Sequence, residues 1–292
     1  MQETGNKISP ELNIVDESFH LESLRYYHLF IELGSDELSY CVFDHKRNKY
    51  LLLRFYDFAN FENKLSIEEN IEQVIETDEL LRQQDFNKIS VSVVNNTATL
   101  LPVPLYDESK AKDVLEFNHS INSEDLIYTD HLNSLDAKNI FSVSNSISSI
   151  IKKRFSSATV HHFSSSLIES ITFQYKNMQA PILTVHFRNK NLEIIVTQNK
   201  KLLFYNSFPF VTSEDYIYYL LFVYEKLELN PETVNLVLKG NIDRNSELYK
   251  VTNKYIRNVS FGTRPDTFNF SYRFDNLAHH KFAALLNQHL CE

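Results

Sequence analysis

Apolar and polar positions along the chain fall into short bursts whose period switches between two and 3.6. Residues 29–33 and 38–43 are runs rich in Phe, Ile, Leu, Tyr and Val, with Gly34, Ser35 and Asp36 between them. Two such runs flanking a glycine-containing turn predict a β-hairpin. A second turn, residues 45–48, leads to a third run at 50–58, which completes an antiparallel meander. Ser66 and Glu69 then show capping-box spacing, and Ile67, Ile71, Val74, Ile75 and Leu81 give the apolar stripe of a helix. Residues 89–94 read as a strand, residues 101–105 as an extended segment with two prolines, and residues 111–117 as a short helix.

The middle of the chain alternates. Residues 126–131 and 140–143 read as strands. Ser144 or Asn145 caps a helix through Ile147, Ile150, Ile151 and Phe155. A strand at 159–163 and a helix through Leu167, Ile168, Ile171 and Tyr175 follow. This order predicts the edge of a mostly parallel sheet covered by helices. Residues 177–181 are polar up to Pro181, which disfavours helix in the residue before it. They mark a boundary between lobe I, residues 1–178, and lobe II, residues 179–292. Lobe I begins with an extended or loosely ordered lead-in over residues 1–20.

After the boundary the pattern starts again. Residues 30–38 and residues 184–192 superpose strand, turn and strand without a gap. Third strands follow at 50–58 and 202–210. A helix from Tyr216 to about Leu227, capped by Thr212 and Asp215, matches the helix capped by Ser66 and Glu69. Strands at 89–94 and 234–238 come next in each half. The second half adds a helix at 248–256 and a C-terminal helix with Ala278, Phe282, Leu285, Leu286 and His289 on one face.

Composition narrows the function classes. The chain has 292 residues, 29 basic and 38 acidic, for a formal charge of −9. That balance argues against a nucleic-acid binder, because phosphates are repelled. Lys152, Lys153 and Arg154 form the one short basic run and read as a solvated helix end. The longest apolar run, residues 216–224, is too short to insert in a bilayer, where a span needs about 20 residues. Residues 1–11 are polar and show no signal-like apolar stretch, and Cys41 and Cys291 are far apart, so a reducing, cytoplasmic setting is expected. Only four glycines occur, Gly5, Gly34, Gly240 and Gly262, all isolated. Neither a Walker loop nor a dinucleotide fingerprint is present.

Two β-β-β-α-β-α lobes in tandem resemble the actin-like ATPase superfamily. Over nearly the whole chain from Phe19 the sequence is similar to a bacterial family of uncharacterised proteins with a degenerate actin-like ATPase fold. More distantly it resembles the type IV pilus assembly platform protein and the actin-like division protein. The resemblance implies an α/β fold of two ribonuclease H-like lobes, each a mixed five-stranded sheet with flanking helices. It leaves no room for the large subdomain those relatives insert in lobe I. It also implies a nucleotide cleft between the lobes. Glu32, Gly34 and Ser35 stand where such proteins carry an Asp-x-Gly-Ser/Thr phosphate hairpin. The second hairpin has His186 and Arg188 in place of an acid and a glycine, and the adenosine loop keeps one glycine, Gly240. Side chains at Arg188 and Asn189 obstruct the close backbone approach that phosphate requires.

The residues therefore imply a vestigial cleft, no catalytic or metal-ligating residues, no cofactor, and a binding or scaffold role with a protein partner. ATP with magnesium in the cleft, driving a conformational switch, is the first alternative. A metal-dependent ribonuclease H-like enzyme is the second, but Glu32 lacks a convincing acidic companion. His186 and Arg188 read as exposed hairpin residues. His161 and His162, or His279 and His280, point apart and do not chelate together. The aromatic-rich helix with Tyr216, Tyr218, Tyr219, Phe222 and Tyr224 reads as buried between sheet and neighbouring lobe.

Overall fold

Two sheets with one strand order organise the molecule. The computed structural model describes residues 8–61 and 65–291; residues 1–7 of the lead-in, with Gly5, lie outside it. The strands are β1 (Leu12–Val15), β2 (Tyr27–Leu33), β3 (Glu37–Asp44), β4 (Lys49–Asp57), β5 (Lys88–Val93), β6 (Ala98–Pro102), β7 (Leu126–Leu132), β8 (Ala137–Val143), β9 (Thr159–His162), β10 (Ile182–Phe187), β11 (Asn191–Gln198), β12 (Lys201–Pro209), β13 (Asn235–Gly240), β14 (Val259–Phe261) and β15 (Asn269–Phe270). The α-helices are α1 (Ile67–Thr77), α2 (Ala111–Asn118), α3 (Asn145–Arg154), α4 (Phe163–Gln174), α5 (Ser213–Lys226) and α6 (Glu247–Tyr255).

The second sheet runs β12-β11-β10-β13-β14, and the first contains the same order as β4-β3-β2-β5-β9. To that core the first adds β1 and β15, both paired with β4. The internal repeat holds to the residue. Leu33 pairs with Leu38 and Phe187 with Leu192, at the same points of the superposed segments. The register to the third strand slips at Val42/Phe43 in one copy and at Val196/Thr197 in the other, again the same place. Both meanders lead into a complete capping box, Ser66 with Glu69 and Thr212 with Asp215.

Each sheet has its own helix-covered face. Leu29, Ile31, Val74 and Ile151 share the core under α1 and α3, while Val185, Leu220 and Leu238 share the core under α5. The expected basic run ends α3, where Lys153 and Arg154 pair with Glu72 and Glu76 of α1. Helix α4 is buried on nearly every side and packs Phe163, Leu167 and Ile171 against Ile195 of the second sheet.

Three sequence expectations are corrected. First, the first sheet has seven strands rather than five, because β1, from the extended lead-in, is held along β4 and β15 also joins that strand. Second, β7 and β8 do not join the parallel sheet edge. A short turn at residues 133–136 connects them, and parallel pairing needs a crossover of about a dozen residues or more. They form a separate antiparallel sheet, β6-β8-β7, with α2 packed on it through Ala111 and Leu115. Residues 98–143 are thus a small subdomain inserted between β5 and α3, where no insertion was expected. Third, the C-terminal helix is only a 3₁₀ segment, Leu285–Cys291. Phe282 has φ 56°, a left-handed conformation that interrupts an α-helix. This C-terminal stretch returns to the first sheet. Leu277, Leu285 and Leu286 cover Phe30, Phe43 and Tyr50, and Gln288 Nε2 donates to the Ile31 carbonyl at 2.9 Å.

Candidate functional site

The repeat places the two hairpin tips together at a cleft of about 350 Å³. Glu32, His186, Arg188 and Gly240, which the sequence singled out, all line it; Gly34 and Ser35 sit beside it in the first hairpin turn. The C-terminal stretch closes one wall with Leu277, Lys281 and Phe282.

Glu32, next to last in β2, is buried and has Ser39 as a hydrogen-bond partner, but its Oε1 has no partner. Burial, and next the charge of Glu37, push its carboxyl up to about 8. Burial, then Asp36, likewise pushes Glu37 up to about 7. Asp57 and Glu11 also line the cleft. The acidic companions that the sequence did not supply for Glu32 are therefore gathered by folding. Even so, no group of three His, Cys, Asp or Glu side chains among the described residues is arranged to hold a metal.

In the second hairpin the expectation of exposed residues is wrong. His186 is buried, and its Nδ1 lies 3.0 Å from Glu193 Oε2. Arg188 folds back onto the other oxygen of Glu193, with Nη2 at 2.7 Å and Nε at 3.0 Å. Glu193 is fully buried. Burial alone would raise its carboxyl, but the charge of Arg188 and the bond from His186 outweigh that and hold it down to about 2. The Arg188 guanidinium also lies over the Phe163 ring at 4.6 Å and reaches Asn96 Oδ1 at 2.5 Å. Its Nε and Nη2 are thus already engaged within the protein.

The two tips bond directly. Asn189 Nδ2 donates to Asp36 Oδ2 at 2.8 Å. Asn96, just after β5, adds a second tie by donating to Asn191 Oδ1 at 2.7 Å. Gly34 N–H donates to the Glu37 carbonyl at 2.9 Å, as Arg188 N–H does to that of Asn191 at 2.8 Å. Gly240 has φ +81°, and a Cβ there would lie 2.2 Å from the Phe187 carbonyl oxygen. Its N–H donates to the His280 carbonyl at 2.9 Å. This glycine is required by close backbone packing.

The histidine pairs do point apart. His161 bonds Asp130, while His162 bonds Ser164 and Asn95; His279 is exposed, while His280 is buried and donates from Nε2 to the Ile242 carbonyl at 2.8 Å. The aromatic helix is split. Tyr216 and Tyr224 are buried, but Tyr218 and Phe222 are exposed and stack on each other. Sequence reasoning missed Asp78 altogether. It caps the end of α1, and its Oδ2 accepts from Tyr40, Tyr56 and Arg54 at 2.7, 2.6 and 2.9 Å. No helix among the described residues is long and apolar enough to cross a membrane.

Comparison with known proteins places the fold. The sequence profile of a family described as protein of unknown function (DUF3822) matches residues 16–259. No curated protein matches the chain. A crystal structure from Bacteroides thetaiotaomicron VPI-5482, a protein with actin-like ATPase fold and unknown function, superposes with a TM-score of 0.77 at 22% identity, covering 84% of this chain and 93% of that one. A PilM-PilN type IV pilus biogenesis complex superposes with a TM-score of 0.60 at 11% identity, covering 92% of this chain and 99% of that one. The chain has the actin-like ATPase fold.

Proposed function

The chain belongs to this family, and we propose that it is a non-catalytic binding or scaffold protein whose interlobe nucleotide cleft is vestigial. In this reading lobe I is residues 1–178 and lobe II residues 179–292, and the two present a surface to a partner protein in the cytosol. The observation that carries it is the bond between Asn189 and Asp36, which joins the hairpin tips where a phosphate would have to pass between them. Three further features support it. Five carboxyl groups, Glu11, Glu32, Asp36, Glu37 and Asp57, line the cleft. Its two nearby cations are engaged elsewhere, Arg188 by Glu193 and Lys281 by Asp243 at 3.7 Å. A phosphate chain entering would meet this acidic lining with both nearby cations already held by carboxylates. A neighbour of the same fold was solved as a complex of two proteins, which accords with a partner-binding role. The test is calorimetric titration with ATP and magnesium. No heat is expected. Binding tighter than about 100 μM, roughly 5.5 kcal/mol, would overturn the reading in favour of a nucleotide-driven switch.

A further inference from the structure

A second cavity, of about 270 Å³, lies between the end of α4, the segment after β14 and the C-terminal stretch. Its chemistry is opposite to that of the cleft. Lys176, Lys239, Arg264 and Lys281 line it, and Asp266 is the acidic residue among its lining side chains.

Lys239 is the unusual member. It lies in β13, where Leu236 and Leu238 point into the core under α5, so Lys239 points to the opposite face. It is 3% exposed. Its Nζ donates to Gln174 Oε1 at 3.1 Å and to the Thr263 carbonyl at 3.5 Å, both neutral acceptors. No carboxylate pairs with it among the described residues. Burial alone brings its ammonium down to about 8, so it stays mostly charged at neutral pH. The neighbouring backbone is fitted to this side chain. A Cβ on Gly262 would meet Lys239 Cγ at 2.7 Å, Cε at 2.9 Å and Nζ at 3.0 Å. Two more buried nitrogens in the lining have no partner, the Arg264 Nε donor and His289 Nδ1, which donates in one of the two ring tautomers. Arg264 Nη2 is spent on the carbonyls of Phe274 and Leu277, at 3.0 and 2.5 Å.

Burying a charge without a counter-ion is costly, and buried donors are normally paired. Here one ammonium without a counter-ion and two unsatisfied nitrogens share a cavity just below the range of drug-sized ligand sites, about 300–1,000 Å³. We propose that this cavity binds a small, multiply charged oxyanion of the phosphate class, with Lys239 at its base and Lys176 at its rim. A multiply charged anion matches the three cationic side chains without a carboxylate partner among the described residues, Lys176, Lys239 and Arg264, better than a single carboxylate does.

The test follows thermal unfolding of the full chain against inorganic phosphate and pyrophosphate, with sodium chloride at matched ionic strength and succinate as the carboxylate control. A saturable rise in Tm with phosphate or pyrophosphate is expected, and none with chloride. Lys239→Met should weaken the response at least tenfold, which is about 1.4 kcal/mol. Its Tm without phosphate should hold or rise, because an unpaired buried charge is removed. Lys176→Met, at the rim, should raise the half-saturating concentration several-fold, and it stands as the test if Lys239→Met does not fold. Three results would overturn the proposal: wild-type protein responding equally to chloride, either variant responding as wild type does, or succinate acting as strongly as phosphate.

Discussion

Replacing Gly240 by alanine should destabilise the protein, although on sequence grounds this glycine looked like a remnant of an adenosine loop. Its φ of +81° costs an L-residue about 1–2 kcal/mol. The added Cβ would lie 2.2 Å from the Phe187 carbonyl oxygen, so backbone must move. That oxygen accepts from Asn241 N–H at 2.8 Å, and Gly240 N–H donates to the His280 carbonyl at 2.9 Å. Disturbing both adds about 0.5–1.5 kcal/mol for each bond. The total is roughly 2–5 kcal/mol. Gly34→Ala is the control. A Cβ there meets nothing closer than 3.4 Å, and its φ is not in the left-handed region. It should be neutral or stabilising by about 0.4–1 kcal/mol, through the unfolded chain. Urea unfolding followed by circular dichroism, with unchanged slope and a shifted midpoint, reads both variants. A Gly240→Ala protein within about 0.5 kcal/mol of wild type would refute the reasoning, as would equal losses at the two glycines.

Other expectations follow from the buried charges. Glu193→Gln leaves Arg188 without its counter-ion and should cost about 3–5 kcal/mol in the same unfolding assay. Because the Glu193 carboxyl is held down to about 2 from an ordinary 4.5, its stabilisation is present above pH 4.5 and is lost as pH falls toward 2; the Gln variant should lose that part of the acid transition. Glu32 works in the opposite sense. Its carboxyl is raised from 4.5 to about 8, so stability falls as pH rises across that interval, at up to about 1.4 kcal/mol per pH unit. Glu32→Gln should flatten this slope in unfolding curves taken from pH 5 to pH 9, and an unchanged slope would show that Glu32 ionises freely in the native state. Asp78→Asn should cost about 3–5 kcal/mol by leaving Arg54 uncompensated, read as a lowered urea midpoint. Asn189→Ala removes an exposed bond, so it should change stability by less than about 1.5 kcal/mol in the same urea assay.

The parts legible in the sequence were those written in local pattern. Both meanders, both capping boxes and the gap-free repeat depend on residues within a turn or a strand pair of one another. What was missed depends on partners far along the chain. The hairpin of β7 and β8 carries the same apolar runs as a parallel edge strand, and only the short turn between them separates the two outcomes. The C-terminal stretch has helical spacing at Ala278, Phe282 and Leu285, yet packing against Phe30, Phe43 and Tyr50 of the first sheet decides its path. The Asp78 site joins side chains from β3, β4 and the end of α1, and no spacing rule links Tyr40, Arg54, Tyr56 and Asp78.

The cleft contains one signal that was present in the sequence and passed over. The second hairpin lacks an acid at the first-strand position, because His186 stands opposite Glu32 in the repeat. In the fold, Glu32 pairs across the strands with Ser39, and His186 pairs with Glu193. Ser39 and Glu193 are themselves equivalent positions of the repeat. Each lobe therefore keeps one acid at this level, on the first strand in lobe I and on the second strand in lobe II. The exchange reverses the electrostatics. Glu32 faces a hydroxyl and further acids, so burial keeps it protonated, with its carboxyl near 8. Glu193 faces a histidine and an arginine, so it stays ionised, near 2, and binds Arg188 back from the cleft. Extending the gap-free superposition by one residue past Leu38 and Leu192 brings Ser39 over Glu193. A cross-strand reading of that pair, rather than a search for the missing hairpin acid, was what the residues required.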